Sequence, residues 1–151
     1  MSQRSPETIL GKPIESTYEA KVIRIVDGDT VELLLPDKTH PNCRLEGIDA
    51  PEKKQPFGSK ATEHLKSLTI GQTLTIHQTG IDHWGRLIVV IMLKDGGSAN
   101  ASLIDNGFAW HFTKYSDDHD LSQLESAARS RGVGLWHDLN PMPPWEWRKN
   151  Q

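Results

Sequence analysis

Alternating hydrophobic and polar positions predict short strands in the first third of the chain. A strand begins near Thr17 and ends at Asp27-Gly28, a dipeptide typical of tight hairpins. The return strand is expected over residues 29–35, and a third strand over about residues 43–48. The pattern therefore predicts a three-stranded antiparallel start.

The spacing of apolar residues changes after residue 58 and predicts a helix. Ala61, Leu65 and Leu68 recur at i, i+4 and i+7, and Gly71 follows as a stop signal, so a helix is expected over residues 59–69. The later predicted elements are a strand at 74–81, an apolar strand buried on both faces at 87–93, a helix at 100–106 and a helix at 120–131. Asp120 is the expected N-cap of the last helix.

Five strands with a helix after the third predict an α+β, mainly β fold. The expected architecture is a five-stranded OB-type Greek-key barrel with three helices. Residues 1–16 are expected to be a flexible N-terminal arm and residues 17–137 the barrel domain. Residues 138–151 form a Pro/Trp-rich tail, expected to pack on the domain without forming a regular helix.

The composition fits one globular domain of 151 residues and limits the function classes. The net charge of −3 argues against tight, purely electrostatic binding of nucleic acid. The single cysteine excludes an intrachain disulfide and a thiolate zinc cluster. No apolar run reaches the ~20 residues that a membrane helix needs, so no membrane partner is expected. Localisation stays open: secreted or periplasmic if an export signal was removed, cytoplasmic otherwise.

Two aspartates end neighbouring predicted strands and are candidate metal ligands. Asp29 follows the first hairpin turn, and Asp49 ends the third strand before Pro51. Adjacent strands can bring both carboxylates to the same end of a barrel, where they repel each other unless a cation lies between them. A calcium ion would need further oxygens, and Ala50 can offer its carbonyl. The alternative is that both aspartates only accept local backbone hydrogen bonds.

Arg44, Arg86 and Glu52 are the candidate catalytic residues. Guanidinium groups bind phosphate oxygens and can stabilise the transition state of phosphodiester cleavage. Glu52 could orient or deprotonate a metal-bound water. The alternatives are solvated arginines and a surface glutamate paired with a neighbouring lysine. Arg44 and Asp49 would lie on opposite faces of a regular strand, so they converge only if the strand bulges or ends near Gly47.

His83, Trp84 and Tyr115 are candidate nucleotide-binding residues. The aromatic faces of Trp84 and Tyr115 can stack on bases without sequence preference. The alternative is a structural role for both rings. The seven histidines show no zinc-helix spacing.

Five segments in this order resemble the staphylococcal nuclease, or thermonuclease, family between about residues 18 and 136. They are Val26 to Val31, Arg44 to Glu52, Trp84 to Arg86, Ala101 to Ala109, and Gly134-Leu135-Trp136. The resemblance implies an OB-type barrel with three helices and a calcium-dependent nuclease that cleaves DNA and RNA to 5′-hydroxyl and 3′-phosphate ends.

Residue by residue, the resemblance implies calcium ligation by Asp29, Asp49 and the Ala50 carbonyl. Glu52 would serve the attacking water, and Arg44 and Arg86 the scissile phosphate. The chain departs from the family pattern in three places. Ala50 replaces the commoner threonine, His83-Trp84 replaces a lysine-tyrosine pair in the terminal-phosphate site, and Thr113 replaces a loop tyrosine.

The sequence thus predicts a monomeric calcium-dependent nuclease with single-stranded DNA and RNA as substrates. The alternative is a non-catalytic OB-type module that binds nucleic acid or protein. A third possibility is a structural calcium site, which would leave both arginines without a role.

Overall fold

The computed structural model describes residues 7–151. Its strands, in chain order, are β1 (Thr8–Ile9), β2 (Lys12–Pro13), β3 (Ser16–Asp27), β4 (Thr30–Leu34), β5 (Asn42–Leu45), β6 (Ile48–Asp49), β7 (Thr73–Ile81), β8 (Leu87–Met92) and β9 (Trp110–His111). Its α-helices are α1 (Gly58–Thr69), α2 (Ala99–Asp105), α3 (His119–Arg131) and α4 (Pro144–Lys149), and a 3-10 helix spans Gly134–His137. None of the helices within residues 7–151 is long and apolar enough to span a membrane.

Five strands close into a barrel in the order β3-β4-β5-β8-β7, and β3 pairs with β7 to complete the ring. All neighbours are antiparallel except β5 and β8, which run parallel. Helix α1 lies between the third and fourth barrel strands in the sequence. The predicted α+β fold with an OB-type barrel is therefore confirmed.

The barrel interior is filled by alternate residues of its strands, among them Val22, Leu33, Ile76 and Ile91, all fully buried. In β8, three consecutive residues, 89 to 91, are buried, as the continuous apolar run predicts. This packing gives the strand ends a rigid frame.

The β3–β4 turn fits tightly against helix α1. A Cβ atom at Gly28 would lie 2.8 Å from the Cβ of Ala50 and 2.9 Å from that of Ala61. Only a glycine allows this close approach, and it brings the turn residue Asp29 next to the end of β6.

An aromatic cluster joins helix α3, the 3-10 helix and the tail. The Trp110 ring meets Trp136 edge-on at 4.6 Å and Trp145 edge-on at 5.4 Å, measured between centroids. Arg129 lies over Trp136, its Cζ 4.2 Å from the ring centroid. The tail is therefore in contact with the barrel domain through its own side chains.

The expectation that the tail forms no regular helix was wrong. Pro144 is the first residue of α4, where a missing backbone N–H costs no helical hydrogen bond. The two remaining prolines of the tail, Pro141 and Pro143, precede the helix, so neither interrupts it.

The expected loose arm over residues 1–16 also differs from the structure. Strands β1 and β2 pair, and Leu10 and Gly11 between them both have positive φ, as a tight hairpin turn requires. Residues 1–6 lie outside the described part of the chain.

Three element boundaries also differ from prediction. The N-cap of α3 is Asp118, whose carboxylate accepts from the N–H of Leu121 at 2.9 Å, and not Asp120. Asp29 lies in the hairpin turn instead of opening β4. The third predicted strand is divided into β5 and β6 at Gly47.

Candidate active site

A left-handed residue between β5 and β6 brings Arg44 and Asp49 together. Gly47 has φ +80°, so the chain turns and the regular alternation of side chains is interrupted. Arg44 Nη2 donates a hydrogen bond to Asp49 Oδ1 at 3.1 Å. The break at Gly47 explains how residues five apart in sequence share one face.

Arg44 also contacts the second aspartate, so one guanidinium connects both acidic motifs. Its Nη1 lies 3.0 Å from Asp29 Oδ2, an ion-pair contact that lacks the angle of a hydrogen bond. The Arg44 side chain is only 15% exposed. Arg44 nevertheless lines the cleft, and its Nη1 has no hydrogen-bond acceptor among the described residues.

Asp29 is buried and held by several donors. The Thr30 hydroxyl donates to its Oδ1 at 3.0 Å, and the backbone N–H of Ala50 donates to its Oδ2 at 2.9 Å. Burial opposes the charged form, but Arg44 and the hydrogen bonds outweigh it, so the pKa of Asp29 lies below its ordinary value. The ionised form of this carboxylate is therefore favoured.

Asp49 is fully buried, and both of its oxygens accept from guanidinium groups. Burial raises its pKa to about 6, and the negative charge of Asp29 acts in the same direction, while the arginines oppose the shift. Ala50, next in the chain, is also buried. Its methyl group packs beside Gly28, so a side-chain ligand is missing at this position.

A third aspartate of the first motif belongs to the same group, and sequence reasoning missed it. Asp27 Oδ1 accepts from the backbone N–H of Asp29 at 3.1 Å. Burial raises the pKa of Asp27 to about 7, and the charge of Asp29 adds to the shift. The repeat Asp27-Gly28-Asp29 was the available signal, because a two-residue hairpin loop places both acids at one end of the barrel.

Glu52 lies on the loop after β6, and its partner comes from the far end of the chain. Arg148 Nη1 donates to Glu52 Oε1 at 2.8 Å and to Asp49 Oδ1 at 3.2 Å. Arg148 Nη2 donates to Asp49 Oδ2 at 2.7 Å. The hydrogen bonds to Asp49 hold the pKa of Arg148 above its ordinary value. Sequence reasoning missed Arg148, because nothing in the Pro/Trp-rich tail indicates a contact 96 residues away.

Arg86 lines the same cleft but does not contact the paired aspartates. Its Nε donates to Asp82 Oδ2 at 2.8 Å, and its Cζ lies 5.4 Å from the centroid of the Trp84 ring. Its side chain is 33% exposed at the start of β8. Arg44 and Arg86 thus approach one cleft from neighbouring, parallel strands, the first buried and the second at the rim.

The cleft has a volume of about 1100 Å³, and the three predicted nucleotide-binding residues line it. Trp84 is 72% and Tyr115 55% exposed. His83 packs on Trp84 with ring centroids 3.7 Å apart, and Phe112 meets Tyr115 edge-on at 5.0 Å. Exposed rings of this kind are available to stack on bases.

The donor set of the site suits a hard cation. Asp27, Asp29 and Asp49 offer only carboxylate oxygens, and the pKa of Asp27 is raised mainly by burial and further by the neighbouring charge of Asp29. Among residues 7–151, no three side chains of the types His, Cys, Asp and Glu already form a metal cage. Backbone carbonyl and water oxygens would have to complete the shell, which calcium accepts.

Comparison with known proteins adds the decisive observation. Residues 42–138 match the family model described as staphylococcal nuclease homologue. The chain belongs to the staphylococcal nuclease family. The matched range contains Arg44, Asp49, Glu52 and Arg86, whereas Asp29 precedes it and Arg148 follows it.

Individual relatives agree with this membership. A "Micrococcal nuclease" from Shigella flexneri is 34% identical, with 93% of this chain and 86% of the relative covered. An "Uncharacterized endonuclease" from Escherichia coli O157:H7 is 40% identical, covering 85% and 83%. "Staphylococcal-like nuclease CAN1" from Arabidopsis thaliana is 38% identical over 72% of this chain and 33% of its own length. Family and relatives together support a nuclease function.

Proposed function

We propose that this protein is a calcium-dependent nuclease that hydrolyses phosphodiester bonds of DNA and RNA with little sequence preference. The observation that carries the proposal is the position of Arg44 between the buried carboxylates of Asp29 and Asp49. This arrangement opens into a cleft that Glu52 and Arg86 also line. The endonuclease and nuclease names of its relatives support the same reaction class.

Asp29, Asp49 and the carbonyl of Ala50 are the proposed calcium ligands. When bound, a divalent ion polarises the phosphate and lowers the pKa of a coordinated water. Asp49 Oδ2 accepts one hydrogen bond from a side chain, so it keeps a lone pair for a cation. Asp27 adds negative charge beside these ligands.

Glu52 is the proposed group that orients the attacking water and takes its proton. The water oxygen forms a bond to phosphorus, the bond from phosphorus to the 5′ oxygen breaks, and the leaving oxygen takes up a proton from solvent water. The products are a 5′-hydroxyl and a 3′-phosphate. Arg44 and Arg86 bind the phosphate oxygens and stabilise the added negative charge of the transition state.

Single-stranded DNA and RNA are the proposed substrates, and the protein acts as a monomer. With a net charge of −3, the protein is not expected to bind duplex DNA through a broad basic surface. Trp84 and Tyr115 offer stacking surfaces along the cleft, and His83 supports the Trp84 ring. Unpaired bases can reach such rings, whereas stacked bases of a duplex cannot.

A cleavage panel of metals against substrates tests the proposal. Single-stranded DNA, duplex DNA and RNA are incubated with calcium, magnesium, manganese or a chelator, and the end groups of the products are determined. We expect cleavage of single strands with calcium, none with chelator, and 3′-phosphate ends. An inactive wild-type protein with calcium would refute the enzyme and favour the non-catalytic OB-type binding module.

Glu52→Gln supplies the residue-level test, and Arg131→Gln supplies its control. Arg131 is a surface arginine that pairs with Asp105, and it does not line the cleft. Glu52→Gln is expected to lose most of the activity while remaining folded, and Arg131→Gln to retain it. Full activity of Glu52→Gln would remove Glu52 from the reaction.

A further inference from the structure

The tail brings a third arginine, Arg148, into the cleft. The proposed metal ligands and the two phosphate-binding arginines leave this residue without a role. The Arg148 guanidinium bridges the carboxylates of Asp49 and Glu52. Asp49 is fully buried, so its charge needs compensation from within the protein. This contact is therefore more than a surface ion pair.

The helix that carries Arg148 is fixed to the site independently of Arg148. The side-chain amide of Gln55, on the Glu52 loop, donates to the carbonyl of Met142 at 2.6 Å. Trp145 stacks on Phe112 with an interplanar angle of 1° and centroids 5.6 Å apart. These contacts hold α4 in place, so the position of the guanidinium is determined by packing.

Glu52 depends on Arg148 for its orientation. Within residues 7–151, Arg148 is the only side chain that forms a hydrogen bond with the Glu52 carboxylate. The carboxylate is on a loop and 35% exposed, so without this bond it would sample several rotamers. A group that directs an attacking water must be held within a fraction of an ångström of its productive position.

The charges at the site are compatible with Arg148 and a divalent ion at the same time. Above pH 7, where Asp27 with its pKa of about 7 is ionised, the four carboxylates of Asp27, Asp29, Asp49 and Glu52 and the two guanidinium groups of Arg44 and Arg148 leave a formal charge of −2. One divalent ion balances that charge. Arg148 therefore need not leave for calcium to bind.

We propose that Arg148 is a positioning residue of the nuclease reaction, which fixes Glu52 relative to Asp49 so that the attacking water is directed at the phosphate. This inference rests on the proposed role of Glu52. It assigns a function to the tail beyond residue 138, outside the range that matches the family model. The tail helix then completes the active site of this chain.

Arg148→Ala, Arg148→Lys and the control Arg131→Ala test the inference with single-stranded DNA and calcium. Arg131 carries the same charge, pairs with Asp105 at 3.3 Å and does not line the cleft. Arg148→Ala should lower kcat roughly 10- to 100-fold, as loss of an outer partner of a metal site does. KM should change little, Arg148→Lys should recover part of kcat, and Arg131→Ala should match the wild type.

A double-mutant cycle separates this role from a structural one. If Arg148 acts through Glu52, Arg148→Ala should add little to the loss already caused by Glu52→Gln. Melting temperatures should show that each variant is folded, and titration calorimetry should show calcium affinity that is unchanged or weaker in Arg148→Ala.

Three results would overturn the inference. Unchanged kcat in Arg148→Ala would remove the positioning role, and independent, multiplying losses in the cycle would show that Arg148 does not act through Glu52. Tighter calcium binding with more cleavage at low calcium would show that Arg148 blocks the ion site. In each case the wild type still cleaves with calcium and Glu52→Gln still shows its large loss, so the proposed function stands, whereas a wild type that is inactive with calcium refutes the proposed function itself.

Discussion

Asp29 and Ala50 are joined by a hydrogen bond from the backbone N–H of Ala50 to Oδ2 of Asp29, 2.9 Å long. This bond ties the turn after β3 to the residue that follows β6. The two motifs are 21 residues apart in the sequence, yet they form one end of the barrel. Ion binding at this place therefore requires both segments.

Calcium should stabilise the folded protein, because only the folded chain brings these oxygens together. At 100 times its dissociation constant, a ligand adds about 2.7 kcal/mol, which for this chain length corresponds to roughly 5–10 °C in Tm. Asp29→Asn should abolish the calcium-dependent shift in a thermal melt. Asp95→Asn, in an exposed turn, is the control and should keep the shift.

Replacement of Arg44 and replacement of Arg86 should affect stability differently. Arg44→Gln removes a buried partner of Asp29 and Asp49, so it should cost activity and also about 3–5 kcal/mol of unfolding free energy. Arg86→Gln breaks a half-exposed pair, so it should lower kcat roughly 10²- to 10³-fold with little change in stability. Denaturant melts and steady-state kinetics measure the two effects. Equal stability losses would contradict the burial difference.

Gly47→Ala should disturb the geometry that unites Arg44 and Asp49. An L residue at φ +80° costs roughly 1–2 kcal/mol, and the new Cβ would lie 2.7 Å from Leu121 Cδ1. Gly71→Ala is the matched control, because its φ is +75° but nothing lies within 4 Å of the added atom. Gly47→Ala should be destabilised more than Gly71→Ala and should also lose activity. Similar melts for both would show that the contact with Leu121 is easily relieved.

Trp84→Ala and Tyr115→Ala should weaken substrate binding without unfolding the protein, since both rings are largely exposed. Loss of one stacking surface costs about 1–3 kcal/mol per base. The check is the affinity for a short single-stranded oligonucleotide, measured with the inactive Glu52→Gln background. Unchanged affinity would show that the rings do not bind the substrate and would favour a structural role.

His111 should make the fold less stable on acidification. Burial lowers the pKa of this imidazole, which contacts the hydroxyls of Ser116 and Ser122. The unfolded chain binds a proton near pH 6.5 and the folded chain only at lower pH, so this contribution is present above pH 6.5 and is lost below it. The raised pKa values of Asp27 and Asp49 act in the opposite direction, so His111→Gln has to be compared with the wild type. On acidification below pH 6.5 the variant should lose less unfolding free energy, or gain more, than the wild type in denaturant melts at each pH. The same pH dependence in both proteins would contradict the lowered pKa of His111.

Much of the fold follows from short-range sequence patterns. The hairpin at Asp27-Gly28 and the five strands follow from period-two alternation and turn chemistry, which depend on near neighbours. The five-residue spacing of Arg44 and Asp49 correctly pointed to a break at Gly47. The order of three strands, a helix and two strands predicted the OB-type barrel, and the family motifs implied the same fold.

The features that could not be predicted from the sequence depend on tertiary contacts or on local geometry. Arg148 meets Asp49 across 99 residues, and no local pattern encodes such a pairing. The tail helix was missed because proline was treated as a breaker, although at the first helical position it is favourable. Asp118 and Asp120 are equally good capping residues by type, and only the loop geometry selects Asp118.

The parallel pairing of β5 with β8 places Arg44 beside Ile88, two residues beyond Arg86. The distance between the backbones of Arg44 and Arg86 is thus set by the hydrogen bonds between β5 and β8, two strands that are far apart in the chain. Such non-local pairings form slowly. The rate at which cleavage activity returns during refolding would therefore report the rate at which the barrel closes. A partly folded intermediate that contains only the first hairpin would be catalytically silent.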